Sequence, residues 1–282
     1  MAGGEPDGEP DPGRERAPYP GPMGTALITG ASAGLGLEFA WQLATARHDV
    51  VLVARDVERL ERLAGQLRAA AGVRAEVLPA DLSERDQVES VAERLRQGEQ
   101  PVGLLVNNAG FATGPSFVGS DLAAQEAGLD VMVRAVMVLS HAAAGAMAER
   151  GRGAILNVSS IAALTTAGTY SAHKAWVRVF TEGLAGELRG TGVTATALCP
   201  GLTHTEFHDR AGVEASRYPE LAWLNADSVV AAALADVRRG AVISTPSLRY
   251  GLVSEGARLL PRAAVRRLSG LSSVRGAGEL TT

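Results

Sequence analysis

Thr25-Ala26-Leu27-Ile28-Thr29-Gly30-Ala31-Ser32-Ala33-Gly34-Leu35-Gly36 is the stretch whose reading decides the fold. Its first five residues form a short apolar run, the pattern of a buried parallel strand. They lead straight into a glycine-rich turn, and a helical pattern follows from Leu37 to Ala46. Glycines let the backbone turn tightly and approach a pyrophosphate, and the helix N-terminus offers unpaired N–H groups and the positive end of a dipole. Strand, glycine turn and helix in this order suit a dinucleotide. The spacing is G-x-x-x-G-x-G and departs from the general G-x-G-x-x-G fingerprint. Gly30, Ser32, Gly34, Leu35 and Gly36 are the candidate phosphate-side residues.

Outward from this turn, strands and helices alternate. A second strand, Asp49 to Ala54, ends at Arg55, where a fold selecting NAD places a carboxylate for the ribose 2′-hydroxyl. Ala54 and Arg55 offer none, and Asp56 reads as the N-cap of a helix from Val57 to Ala71. The planar fork of Arg55 suits a 2′-phosphate, which favours NADP; packing on the adenine face is the other role open to it. Arg74 to Pro79 reads as a third strand, followed by Asp81-Leu82, with Ser83 as N-cap of a helix from Glu84 to Arg96. Val102 to Val106 is a fourth strand, ending in Asn107-Asn108-Ala109-Gly110. Asp121 caps a long helix to about Arg150. Strands at Ala154 to Val158, Val193 to Leu198 and Ala241 to Ser244 complete the set, with a helix from Tyr170 to Leu188. The pattern predicts one doubly wound, Rossmann-like α/β domain of about seven parallel strands with helices on both faces. Most candidate residues fall at the carboxyl ends of strands, where open parallel sheets bind ligands.

Lys174 is the only lysine in the chain, and it lies four residues after Tyr170. On a helix these positions share a face. A compact ammonium beside a phenol favours the phenolate. Bringing a tyrosine from its ordinary ~10 to near neutrality takes roughly 4 kcal/mol, which a desolvated site with a fixed positive charge can supply. The expected product is a general acid/base working near pH 7. An ordinary exposed Tyr and Lys on a helix surface is the plain alternative.

Composition narrows the setting. The chain has 282 residues, 46% hydrophobic content and a net charge of -4 with both signs interspersed, so no nucleic-acid surface is expected. Cys199 is the lone cysteine, which excludes an intramolecular disulfide and fits a reducing cytoplasm; it reads as a buried inert thiol. No stretch approaches ~18 uninterrupted apolar residues, so no transmembrane segment is expected, and the N-terminus lacks a signal-peptide pattern. Residues 1–22 read as a disordered lead, rich in Gly, Pro, Glu and Asp. Residues 23–245 read as the single domain, with a substrate loop at about 202–226, and residues 246–282 as a helical tail.

Taken together, Thr29-Gly30-x3-Gly34-x-Gly36, Asp81-Leu82, Asn107-Asn108-Ala109-Gly110, Ser160, Tyr170-x3-Lys174 and Pro200-Gly201-x3-Thr205 resemble the motif series of the short-chain dehydrogenase/reductase family, in the family's order. The resemblance implies an NADP-dependent oxidoreductase of a carbonyl/alcohol pair. Tyr170 would exchange the proton, Lys174 would lower its pKa and hold the nicotinamide ribose, and Ser160 would orient the carbonyl. Asn107, Ala109 and Gly110 would support the ribose side, Asp81 with Leu82 the adenine, and Pro200, Gly201 and Thr205 the nicotinamide. It also implies a homodimer or homotetramer. Two departures accompany it. Met132 stands where the family usually carries an asparagine that helps hold a water linking the lysine to solvent, and a thioether cannot donate. Ser160 and Tyr170 are closer in sequence than is usual, so Ile161 to Thr169 must close more tightly, and Ser159, Thr165 and Thr166 are alternative hydroxyls.

The remaining candidates are weaker. His204 and His208 flank Glu206 and read as loop histidines, since a third metal ligand is not evident. Phe207, Tyr218, Trp223 and Leu224 suit either an apolar lid over a small-molecule substrate, which suggests an apolar carbonyl compound, or a packed subdomain. The apolar, arginine-containing tail from Tyr250 to Arg267 reads as a helix docked on the protein's own edge. The rival from another functional class is a catalytically weak NADP-binding sensor or scaffold.

Overall fold

The computed structural model describes residues 24–114, 117–207, 219–247, 249–251, 256, 260–261 and 263–267. Residues 1–22, His208 and Tyr218 therefore lie outside it. The described chain forms seven parallel strands: β1 (Thr25–Thr29), β2 (Asp49–Ala54), β3 (Ala75–Pro79), β4 (Val102–Asn107), β5 (Gly153–Val158), β6 (Val193–Leu198) and β7 (Ile243–Ser244). Their order across the sheet is β3-β2-β1-β4-β5-β6-β7. Strand order reverses between β1 and β4, and a crevice opens at that switch point beyond the carboxyl ends.

Seven α-helices complete the described fold: α1 (Gly34–Thr45), α2 (Val57–Ala71), α3 (Arg85–Arg96), α4 (Leu122–Leu129), α5 (Ala135–Glu149), α6 (Gly168–Glu187) and α7 (Ala226–Arg238). Side-chain alternation along the strands builds two cores. Ala26, Ile28, Val50, Leu52, Leu104 and Leu156 pack against α1, α2 and α7. Leu27, Val51, Val53, Leu105 and Ile155 pack against α3, α5 and the end of α6. Helix on both faces is what a sheet with no polar face requires.

Local caps follow the sequence in two places and depart from it in one. Asp56 accepts the Arg59 N–H at 3.0 Å and Asp121 the Ala123 N–H at 3.1 Å, as N-caps do. Ser83 does not cap α3. Its N–H and hydroxyl both donate to Asp81, at 2.9 and 2.7 Å, and α3 begins after Glu84 with no side-chain cap. Asp81, one strand end away, outcompetes the helix for that hydroxyl.

The run Leu122–Glu149 is helical throughout, with a π turn at Asp130–Arg134 between α4 and α5. By length and composition alone it is apolar enough to cross a membrane, at a mean hydropathy of 1.6. Its Leu139, Ala142, Ala143 and Met147 belong to the second core, which accounts for the apolarity. Of the tail, Tyr250 is held by the segment after β6: its hydroxyl donates to Ala222 O at 2.6 Å and accepts the Leu202 N–H at 3.3 Å.

A buried polar chain runs under the ends of β4 and β5. Asn107 donates to Ser140 Oγ (3.1 Å) and Asn157 Oδ1 (2.9 Å), Asn157 donates to Thr181 Oγ1 (3.0 Å), and Thr181 donates to Val177 O (2.6 Å). It joins two strands to α5 and α6, and Asn157 is its centre. Asn157→Leu leaves Asn107 short of an acceptor and Thr181 short of a donor. A loss of about 2 kcal/mol is expected in urea unfolding; unchanged stability would show that these bonds hold nothing.

Candidate active site

The glycine turn is built for close approach. Gly30 and Gly34 take φ of 67° and 55°, the left-handed region that favours glycine. A Cβ on Gly30 would lie 2.9 Å from Asn108 Nδ2, and one on Gly36 would lie 2.1 Å from Gly30 O. Asn108 knits this junction, donating to Thr29 O at 2.9 Å, while the Thr29 hydroxyl accepts the N–H groups of Asn108 (2.9 Å) and Ala109 (3.0 Å). The carboxyl ends of β1 and β4 are thereby pinned at the crevice. The α1 N-terminus at Ala33 has no side-chain cap and no acidic residue in its first turn, so its donors are left for a ligand.

The crevice holds a cleft of about 540 Å³. Of the expected residues it is lined by Gly30, Ser32, Gly34, Leu35, Arg55, Asp81, Leu82, Ala109, Gly110, Ser160, Tyr170, Lys174, Pro200, Gly201 and Thr205. Two expectations fail. Asn107 is not at the cleft, because its side chain turns under the sheet into the Ser140–Asn157 chain; Asn108 lines the cleft instead. Gly36 is not at the cleft either, and its missing side chain serves the packing of α1 on the β1 turn. Sequence reading missed Arg59 and Glu206, which meet at the cleft at 3.2 Å from α2 and from the segment after β6. It also missed Phe111, Ala127 and Val131. The regular helix-face pattern of Arg59 concealed its role.

At one end, Arg55 pairs with Asp81 at 3.6 Å. Burial pushes Asp81 up, but the Ser83 hydroxyl and N–H and the Arg55 guanidinium outweigh it and hold the carboxyl below its ordinary range. At the other end stand Ser160, Tyr170 and Lys174. The tight Ser160–Tyr170 connection closes through a 3-10 turn, Ile161–Leu164, and a left-handed Gly168 (φ 70°) that opens α6 just before Tyr170. Ser160 Oγ accepts the Ala162 N–H at 3.1 Å and pulls the Tyr170 pKa down. Ser159 instead donates to Lys174 O at 2.7 Å, and Thr165 to Ala162 O at 2.9 Å.

The electrostatics differ from the sequence expectation. Lys174 is 4% exposed, and its Nζ donates to Val158 O at 2.8 Å, 5.7 Å from the centroid of the Tyr170 ring. Burial lowers Lys174 to about 8, with Cys199 acting the other way. Burial raises Tyr170 to about 12 against the pull of Ser160. The protein alone therefore does not bring the phenol near neutrality, because the ammonium is turned to a carbonyl and is itself poorly solvated. Met132 is fully buried near Gly110: a Cβ placed on Gly110 would be 3.3 Å from the Met132 thioether and 3.5 Å from Lys174 Nζ.

Of the other candidates, Phe207 stands 5.7 Å from the Tyr170 ring. Trp223 stacks on His204 at 4.7 Å and Leu224 packs against the first core, so those two are subdomain packing. His204 also meets Glu220 at 3.1 Å, and no cluster of three metal-ligating side chains occurs among the described residues.

A fold with this switch-point crevice and this site is that of a dinucleotide-dependent oxidoreductase family. Residues 24–214 match the short chain dehydrogenase model, and the chain belongs to that family. It is 37% identical over 186 residues to sulfoacetaldehyde reductase 2 of Chromohalobacter salexigens, covering 64% of this chain and 73% of that one. Among solved structures, it superposes with a TM-score of 0.77 and 36% identity on a short-chain dehydrogenase from Sphingobium yanoikuyae in complex with NADPH, covering 83% of this chain and 93% of that one. A family member from Burkholderia phymatum in complex with NAD gives 0.74 at 26% identity, covering 84% and 93%. The curated relatives are matched over 62% to 78% of their own lengths.

The depressed Lys174 gives a signed pH test. Unfolded lysine holds its proton to ~10.4, so between pH 8 and that value the unfolded state binds more protons, and stability due to this group rises with pH. Urea unfolding of the wild type and Lys174→Met from pH 7 to 10.5 checks this. The wild type should gain on the variant across that window, by an amount on the order of 3 kcal/mol. A constant difference would mean that Lys174 titrates as in water.

Proposed function

We propose that the chain is an enzyme that interconverts a carbonyl and an alcohol, with NADP as cofactor and Tyr170 as general acid/base. The observation that carries this reading is a single cleft joining an uncapped helix N-terminus and two arginines at one end to Ser160, Tyr170 and Lys174 at the other. NADP, when bound, supplies or accepts the hydride. The glycine turn and the α1 N-terminus would hold its pyrophosphate, Arg55 its 2′-phosphate, and Asp81 and Leu82 its adenine. Ala109, Gly110, Tyr170 and Lys174 would hold the nicotinamide ribose, with Pro200, Gly201 and Thr205 at the ring. The cleft has room for backbone-to-phosphate contact because Gly30 and Gly34 carry no side chain.

Ser160 holds the carbonyl oxygen at the phenol, and in reduction Tyr170 delivers its proton there. Since burial raises Tyr170 in the free protein, its activation would belong to the filled cleft. The apolar lining, Phe111, Ala112, Ala127, Val131 and Phe207, supports an apolar carbonyl substrate. The exposed apolar side chains Leu129 on α4, Met137 on α5 and Val179 on α6 support a homodimer or homotetramer, and the lone cysteine a cytoplasmic setting. The second reading, a catalytically weak NADP-binding sensor or scaffold, is favoured by one observation: a buried Met132 thioether, which cannot donate a hydrogen bond, stands beside Gly110, as Lys174 Nζ does.

Tyr170→Phe separates the two readings. Cofactor binding should persist and turnover of an apolar aldehyde or ketone with NADPH should fall by about 10²–10⁴-fold; retained turnover would end the catalytic assignment. Arg55→Ala should weaken NADPH binding at least tenfold more than NADH binding, a difference of roughly 1.4 kcal/mol. Equal weakening of both would remove Arg55 from phosphate recognition.

A further inference from the structure

Five charged side chains meet at the end of the cleft where α2 begins: Arg55, Asp56, Arg59, Asp81 and Glu206. Three are carboxylates and two are guanidinium groups, so this end is not a simple cationic trap. Two of the carboxylates have local tasks. Asp56 caps α2 through the Arg59 N–H and its other oxygen pairs with Arg59 Nε at 3.4 Å, and Asp81 accepts from Ser83. Glu206 comes from a distant part of the chain. Its carboxylate meets Arg59 Nη1 at 3.2 and 3.5 Å, across 147 residues of sequence. Its neighbour Thr205 lies close to the glycine turn, where a Cβ on Gly34 would be 3.4 Å from Thr205 Cβ. The segment thus crosses the cleft mouth from the phosphate-side turn to α2.

Arg59 is 39% exposed and Glu206 50%, so the pair is solvated and weak enough to exchange partners. A ribose 2′-phosphate entering beside Arg55 would seek a second guanidinium fork, and Arg59, in the first turn of α2, lines the same cleft. The Glu206 carboxylate already engages that fork and adds a like charge next to the incoming phosphate, whereas a cofactor ending in a 2′-hydroxyl meets neither obstacle.

From this arrangement, and resting on the reading that the cleft binds NADP, we infer that Glu206 is a specificity-determining residue. It withholds Arg59 from the 2′-phosphate and narrows the preference of the protein for NADP over NAD. Phosphate binding and the Arg59–Glu206 pair compete, so occupation of the cleft by NADP releases Glu206, while NAD leaves it in place.

The experiment is direct binding of NADPH and NADH, followed by nicotinamide fluorescence at fixed low ionic strength, to the wild type, Glu206→Gln, Arg59→Leu and the double variant. Glu206→Gln should raise the NADPH-to-NADH affinity ratio at least threefold, and the gain should disappear when Arg59 is leucine. An unchanged or lowered ratio in Glu206→Gln would overturn the inference, as would a gain that persists in full without Arg59. The wild-type measurements stand apart from these: preference for NADH would refute the NADP reading while the change in ratio still judges Glu206, and binding of neither dinucleotide would refute both.

Discussion

The close approach of β1 and β4 at the switch point is the constraint on which everything else in this protein rests. Gly36 lets α1 sit on the carbonyl of Gly30, and Asn108 and Thr29 tie the two strand ends together by hydrogen bonds of about 3 Å. A side chain at Gly36 would collide with backbone rather than with a movable group. Without this junction, the turn could not point its N–H groups into the crevice, and the strand ends carrying Ala109, Ser160 and Pro200 would lose their common focus. The site is thus a consequence of backbone packing first and of side-chain chemistry second.

A second theme is that the charged groups are held in reserve by neighbours. Lys174 is buried with its ammonium on Val158 O, Arg55 is matched with Asp81, and Arg59 with Glu206 and Asp56. A buried ammonium with few partners loses part of its preference for the charged form, and a buried phenol gains preference for the neutral one. Burial thus lowers Lys174 to about 8 and raises Tyr170 to about 12, so at neutral pH the free protein keeps the phenol protonated. The polar chain through Asn107 and Asn157 behaves differently. It is satisfied internally, and it fixes α6, and so Tyr170 and Lys174, against the sheet.

The strands and the doubly wound fold were legible because apolar runs, glycine turns and caps agree with one another along the chain. The bounds of β2 and α2 and the Asp56 cap come directly from such local agreement. Most cleft residues were legible too, since they occupy strand ends. What stayed hidden depends on direction or on distant partners. Whether Asn107 or Asn108 faces the crevice is set by strand twist and pleat, and adjacent residues in a sequence do not reveal it. Arg59 and Glu206 are ordinary surface charges until the fold brings them together. The helix Leu122–Glu149 is apolar because it packs on the sheet, a fact its composition does not carry. The direction of the Tyr170 shift depends on how far burial outweighs the pull of the Ser160 hydroxyl, and burial of a side chain is set by the fold.

The central claim is that Tyr170 is activated by a filled cleft and not by the protein alone. Ultraviolet difference titration of phenolate, wild type minus Tyr170→Phe, with and without saturating NADP⁺, tests it most directly. The account predicts that Tyr170 in the free protein stays protonated beyond the ordinary tyrosine value of ~10 and titrates at lower pH once the dinucleotide is bound. Titration near neutrality without cofactor, or the same high value in both states, would contradict it.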